Sequence, residues 1–397
     1  MRLRILVIAL TIALPAAAQT TRHHVIAPSP IPDSYRSLYQ QLQNNLNAAQ
    51  AQIDPFQAQS MKPPLYAAEL LPANGNRGTD LLQPGVMTGV TTYLDRLKQL
   101  GIRGVVFPVG YPLLLDRFPN SAQYLDFYKQ VVAEAHKRGM VVDIESSVVF
   151  ANSPFSSITW DYSQTTYDQF LVDRHTMAQR ICSQIVPDYL DLGAEPDTEA
   201  RLTGYTQLDT PAGWSNAISH IIDGLVRTST KIGTGAGTWD TRFVELETAL
   251  RIDFISMHIY PVDPVSIANA FQLAAVARAH GKAIVMDEAW LFKARSNESV
   301  TIAADTKIFQ RDSYSFFVPL DQQFLNFLDD FCRVQGVSFV SPFWSSLFFS
   351  YIPYNATTAT LSYPDTVLQV NTAAAANIQS GRYSTTGSYW GYLATQM

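Results

Sequence analysis

Cysteine is scarce in this chain: two in 397 residues, Cys182 and Cys332, each inside a helix-like stretch. A disulfide framework is therefore not what holds the fold, and without a Cys-x-x-Cys pair the usual thiolate zinc sites are excluded. The two stretches belong to helices that are not neighbours in the predicted order of elements, so two free buried thiols are expected. Histidine is almost as sparse. Of seven, His23 and His24 lie near the N-terminus, His136, His175, His220 and His280 fall on helical patterns, and only His258 is on a strand. A hydrolase built on several strand-end histidines and a metal is thereby disfavoured. Basic residues are dispersed and the net charge is −6, which argues against a nucleic-acid partner. No Gly-x-Gly-x-x-Gly turn follows the first strand, which disfavours the doubly wound sheet, the runner-up architecture. There is no repeat beyond a β/α unit, no interdomain linker, and past the N-terminus no charge-free run of membrane length.

The N-terminus reads as an export signal: Arg2 and Arg4, the apolar run from Ile5 to Leu14, then Ala16, Ala17 and Ala18 before Gln19. The expected division is a signal peptide at 1–18, a polar, Pro-rich disordered lead at 19–32, and one domain over 33–397. A secreted or periplasmic monomer follows, free of the membrane once the signal is cleaved; an uncleaved signal would be an anchor.

The apolar content of 47% supports a large core. From Ser34 to Ile53 the spacing predicts a helix that precedes the first strand and caps or flanks the main fold. Strands are then predicted at 65–71, 104–109, 140–145, 188–195, 231–237, 254–260, 283–288 and 337–343. Between them, helices are predicted at 90–100, 121–138, 167–185, 211–228, 243–250, 264–280 and 320–334, with an Ala-rich tail from Pro364 supplying the last. Eight β-then-α units of this size predict an α/β fold, the (β/α)8 TIM barrel with an N-terminal flanking helix.

Two strand ends carry the chemistry. The stretch Pro187-Asp188-Tyr189-Leu190-Asp191-Leu192-Gly193-Ala194-Glu195-Pro196 alternates in apolarity and stops at Pro196, which cannot join a sheet ladder; this places Glu195 at the carboxyl end of strand four. Lys282-Ala283-Ile284-Val285-Met286-Asp287-Glu288-Ala289-Trp290 is a second buried run, and it ends in Asp287 and Glu288. Carboxyl ends of barrel strands are where binding and catalysis sit.

These positions resemble the clan of retaining glycoside hydrolases with (β/α)8 barrels, whose acid/base glutamate ends strand four and whose nucleophile ends strand seven. Gly193-Ala194-Glu195-Pro196 is similar to its Asn-Glu-Pro, and Glu288-Ala289-Trp290 to its Glu-x-Trp. His258-Ile259-Tyr260-Pro261 is similar to its His-x-Tyr-Pro, where the tyrosine bonds the nucleophile. Trp344 falls where the clan places a tryptophan under the sugar. The resemblance implies hydrolysis of O-glycosidic bonds in a polysaccharide or oligosaccharide, with Glu195 and Glu288 catalytic and about 5–5.5 Å apart. It implies that the charge of an ionised Glu288 raises the pKa of Glu195. Ala194 departs from the clan's Asn, so the hydrogen bond to the sugar 2-hydroxyl must come from elsewhere. That departure keeps open a second reading, a carbohydrate-binding barrel that has lost the reaction.

Around the pair, His258, Tyr260, Trp290, Trp344 and Trp239 are candidate substrate contacts, and Glu69 and Glu145 candidate ligands for sugar hydroxyls in outlying subsites or salt-linked rim residues. Asp143 and Asp240 are further strand-end polar groups; Tyr111, Trp160 and Tyr205 are further candidate stacking platforms. The expected partner is a β-linked glycan, with no cofactor and no metal; the sugar, and endo or exo action, leave no mark on the sequence.

Overall fold

In the computed structural model, which describes residues 29–260, 262–298 and 302–396, eight parallel strands close in sequence order into a barrel. They are β1 Leu65–Glu69, β2 Gly104–Pro108, β3 Val141–Glu145, β4 Tyr189–Asp191, β5 Lys231–Gly237, β6 Phe254–Ile259, β7 Ala283–Ala289 and β8 Phe339–Pro342. The helices are α1 Arg36–Ile53, α2 Val86–Gln99, α3 Ser121–Lys137, α4 Tyr167–Arg180, α5 Pro196–Thr203, α6 Pro211–Ile222, α7 Val244–Thr248, α8 Pro264–Ala279, α9 Ile302–Asp312, α10 Val318–Gln335, α11 Tyr363–Ser380 and α12 Thr385–Thr395. The proposed signal and most of the lead lie outside the described residues. Residues 29–32 are irregular, and the Ser29 hydroxyl sits 2.9 Å from that of Ser315.

Every second residue of a strand faces inward. Ala67, Val106, Phe254, Val285 and Phe339 form a compact apolar plug inside the barrel, separate from the larger core between strands and helices. The same parity carries Asp143 and Glu145 of β3, Asp191 of β4, and Ser256 and His258 of β6 to the inside, above that plug. Glycines on the inner face of β5 make room for rings: a Cβ on Gly233 would stand 2.1 Å from the Phe254 ring.

Three departures from the sequence expectation matter. β4 ends at Asp191, four residues before Glu195. Gly193 takes φ +126°, open to glycine but strained for other residues, and turns the chain out of the sheet. α5 follows at once, with Pro196 in its first turn. The connection after β7 holds α9, where the sequence expectation has no helix between the strand at 283–288 and the helix at 320–334. The helix of the third unit, α4, stops at Arg180 and closes in a π turn, Ile181–Ile185. As expected, α1 flanks the barrel, and both cysteines are buried and unpaired. No helix among the described residues is long and apolar enough to cross a membrane.

The connection after β7 is fastened by a buried cation. Lys293, fully buried, puts its ammonium 2.7 Å from Asp312 of α9 and 2.6 Å from Asp321 of α10. Removing one partner of such a cluster strands the others' charge. Lys293→Ala should cost about 3–5 kcal/mol in chemical denaturation; a loss under about 1 kcal/mol would mean the two carboxylates find water or protons instead.

Candidate active site

Glu195 is held by its turn. The Asp191 carboxylate accepts from the Gly193 amide at 3.0 Å, and the Gly193 carbonyl accepts from the Thr234 hydroxyl at 2.8 Å and the Gly235 amide at 3.1 Å. Beneath it, the buried guanidinium of Arg174 bonds Glu199 at 2.6 Å and the carbonyls of Ser146 and Leu192, each at 2.6 Å, tying the ends of β3 and β4 together. A Cβ on Gly193 would stand 2.6 Å from Glu199. No sequence pattern points to this Arg174–Glu199 support, because its partners lie on separate elements.

Glu288 depends on an irregularity in β7. Ser256 of β6 pairs with Val285, but His258 pairs with Glu288, so β7 carries one extra residue there. In a regular strand Asp287 and Glu288 would face opposite sides; the bulge turns both inward. His258 stands between them, with Nε2 3.3 Å from Asp287, and Nδ1 3.0 Å from Glu195 and 3.7 Å from Glu288. The Tyr260 hydroxyl donates to Glu288, and the Ser256 hydroxyl to Asp287. Oxygens of Glu195 and Glu288 and a nitrogen of His258 lie within 4.8 Å of one another, as do donors of Glu145, His258 and Asp287. Either triplet has the donor types a divalent cation takes, but His258 Nδ1 is already engaged by Glu195.

Electrostatics in this layer depart from the sequence expectation. Burial drives the Glu195 carboxyl up, yet its hydrogen bond to His258 and the imidazole's charge outweigh burial and hold it below the ordinary value. Burial pushes Glu288 up to about 8 against the attraction of His258, with the charges of Glu195 and Glu69 adding to the rise. The resting proton of the pair thus belongs with Glu288, opposite to the order the resemblance implied. The cause is that His258 touches Glu195 more closely. Burial disfavours charge on His258, but Glu288, Asp287 and Glu195 together raise its pKa well above the imidazole norm. Burial and then Asp287 push Asp143 and Asp191 well up, and burial and then Glu288 do the same to Glu145.

The remaining candidates divide. Trp239 folds over Gly237, donates to Asp197 at 3.2 Å, and lies 6.1 Å ring to ring from Tyr260. Trp344 is half-buried beside Phe343 and Phe309, at 4.5 Å and 5.0 Å. Trp290 is not a platform. It is 1% exposed, and Lys293 covers its ring at 5.2 Å, because Ala289 ends the strand and the next side chain turns into the wall. Glu69 and Glu145 do not line outlying subsites. Both are buried on inward positions, Glu145 under the pair and Glu69 against Asn74 at 3.1 Å. Tyr111 is fully buried, the Tyr205 hydroxyl is spent on backbone carbonyls, Trp160 packs edge-on against Tyr111, and Asp240 is a rim residue paired with Arg242. Ala194 is buried and brings no polar atom to the site. Asp191 belongs to this layer and is absent from the sequence candidates; strand parity is the signal that would have found it.

No family model matches the chain, and no curated protein is similar to it in sequence. The fold is that of solved glycoside hydrolases. It is similar to the exo-beta-1,4-mannosidase Op5Man5 from an Opitutaceae bacterium, at 17% identity and a TM-score of 0.55, over 84% of this chain and 59% of that one. It is also similar to GH5_18 from Bifidobacterium longum, at 12% identity and a TM-score of 0.54, over 84% of this chain and 79% of that one. The chain thus spans 59% of the mannosidase's length.

The buried acids give a pH dependence of stability. Burial raises Glu69 to about 7 and Glu247, bonded by Trp214, to about 8, from 4.5. A raised folded pKa means the native state keeps a proton the unfolded chain releases, so this stability is complete below about 4.5 and drains away as pH rises towards 8. His258 acts in the same sense above 6.5. The melting temperature should be higher at pH 5 than at pH 8. Glu247→Gln, which keeps the acceptor for Trp214, should shrink that difference; a flat profile would show that these groups titrate as in water.

Proposed function

We propose that the chain is a secreted retaining glycoside hydrolase acting on a β-linked glycan, with Glu288 as nucleophile and Glu195 as acid/base. The observation that carries this reading is the convergence of both carboxylates on His258, their oxygens within 4.8 Å of each other, with the Tyr260 hydroxyl on Glu288. That spacing suits direct attack by one carboxylate and leaves too little room for the water that an inverting pair activates. Glu288 attacks the anomeric carbon, the glycosidic C–O bond breaks, and Glu195 gives its proton to the departing oxygen. Glu195 then takes a proton from water, whose oxygen attacks the same carbon and releases Glu288. Bound sugar reverses the resting proton order. The glycosidic oxygen accepts a hydrogen bond only from protonated Glu195, and positive charge growing at the anomeric carbon favours ionised Glu288. The solved proteins sharing this barrel include a β-1,4-mannosidase and a protein crystallised with Manb1-4GlcNAc, which puts β-mannosides in the substrate panel beside β-glucosides and β-xylosides.

Ala194 and the proton resting on Glu288 favour the second reading, a barrel that binds sugar without cleaving it. Mutants separate the two. Glu288→Ala should abolish hydrolysis of every substrate. Glu195→Ala should lose about 10²–10⁴-fold on natural glycans, keep its first step on activated aryl glycosides, and regain turnover with azide, which needs no general base. Equal loss in both without azide rescue removes the acid/base assignment, and a wild-type protein that binds glycans without cleaving any is the non-catalytic barrel.

The pair works with one proton, so kcat/KM should fall as pH rises through about 8, where the free chain gives that proton up. A pH–rate profile still climbing at pH 9 would contradict the assignment.

A further inference from the structure

The line from Glu195, after β4, to Glu288, on β7, divides the barrel mouth into two arcs: β5 and β6 on one side, β8, β1, β2 and β3 on the other. A polymer threaded between the carboxyls must leave over both. The connections on the short arc are brief, six residues after β5 (238–243) and four after β6 (260–263). Those on the long arc are 20 residues after β8 (343–362), 16 after β1 (70–85), 12 after β2 (109–120) and 21 after β3 (146–166).

The long connections are also joined to one another. Asn76, after β1, accepts the Phe150 amide at 2.8 Å on its side chain and the Ser157 amide at 2.9 Å on its carbonyl. Phe155, after β3, reaches over to pack edge-on against Phe309 of α9 at 5.4 Å and Tyr363 of α11 at 5.8 Å. Phe309 in turn packs edge-on against Trp344 at 5.0 Å. The β3 connection therefore spans the whole arc to the elements that follow β7 and β8, and the aromatic wall begins directly beside Trp344.

Resting on the hydrolase reading, we propose that the protein is an exo-acting enzyme that removes single sugars from the non-reducing end of its glycan. The long arc is the blind end that holds the terminal sugar, and the rest of the chain leaves over β5 and β6. The direction follows from the acid: Glu195 bonds His258 of β6, and its neighbour Asp197 bonds Trp239 of the β5 connection. The proton is delivered on that side, so the leaving group departs there. Each turnover adds one water across one glycosidic bond.

The test uses β-1,4-mannohexaose and cellohexaose tagged with a fluorophore at the reducing end. With the wild-type protein, the first tagged product should be the pentaose, followed by a ladder shortened one sugar at a time. Tagged dimers and trimers appearing before the pentaose would overturn the proposal. A 4,6-O-benzylidene cap on the terminal sugar should reduce the initial rate at least about tenfold, as should befall any ligand too large for a closed pocket. The double variant Phe155→Ala, Phe309→Ala should begin to cut internally and accept the capped hexaose. If the wild-type protein cleaves neither these nor any aryl β-glycoside, the hydrolase reading falls, and calorimetry with Glu288→Ala then judges the wall separately. Binding of an uncapped hexaose at least about tenfold tighter than a capped one sustains the blind end, and equal binding of the two overturns it.

Discussion

One imidazole governs the centre of this molecule. His258 lies within 4 Å of Glu195, Asp287 and Glu288 at once, inside a barrel whose inner face also carries Asp143, Glu145 and Asp191. So many buried carboxylates repel one another unless they are protonated or paired. The charge of His258 lets the two upper glutamates approach, fixes which of them rests ionised, and ties the site to the aspartate layer beneath. Its position is fixed from the backbone: it sits on an inward position of β6, two residues beyond Ser256, with the plug residue Phe254 below.

Two local distortions bring the carboxylates to that imidazole. The extra residue in β7 turns consecutive acidic side chains to the same face, and the positive φ at Gly193 swings Glu195 back over the barrel after β4 has ended. The β4 turn is held by a group remote in sequence, the Arg174 guanidinium beneath it, and the side chains that the β7 bulge turns inward are met by Ser256, His258 and Tyr260 of the neighbouring strand and its end. A barrel can place functional groups on strand ends cheaply, but bringing two of them within 5 Å takes backbone irregularity that the surrounding packing must stabilise.

The rim extends the same division of labour. The two carboxylates come from the turn after β4 and from β7, the connections after β5 and β6 are short, and long connections elsewhere bond to one another through rings and backbone amides. The aromatic residues that stand out in the composition are spent mostly on this wall and on the core, with Trp239 and Trp344 left at the edge of the site.

The alternation of β and α segments was legible in the chain because strand burial and helix amphipathicity are local periodicities, and eight such units of this size have one common closure. Pairing Glu195 with Glu288 was legible for the same reason: counting units assigns them to strands on opposite sides. The proton order was not, because a buried carboxyl's pKa is set by which groups approach it in space, and the sequence could not tell that His258 would stand nearer Glu195 than Glu288. The same holds for Trp290, whose motif pointed to the sugar while the fold buries it under Lys293. Local pattern determined the scaffold; contacts between residues far apart in the chain decided the bulge, the charge and the wall, since those are free energies of neighbours that only folding brings together.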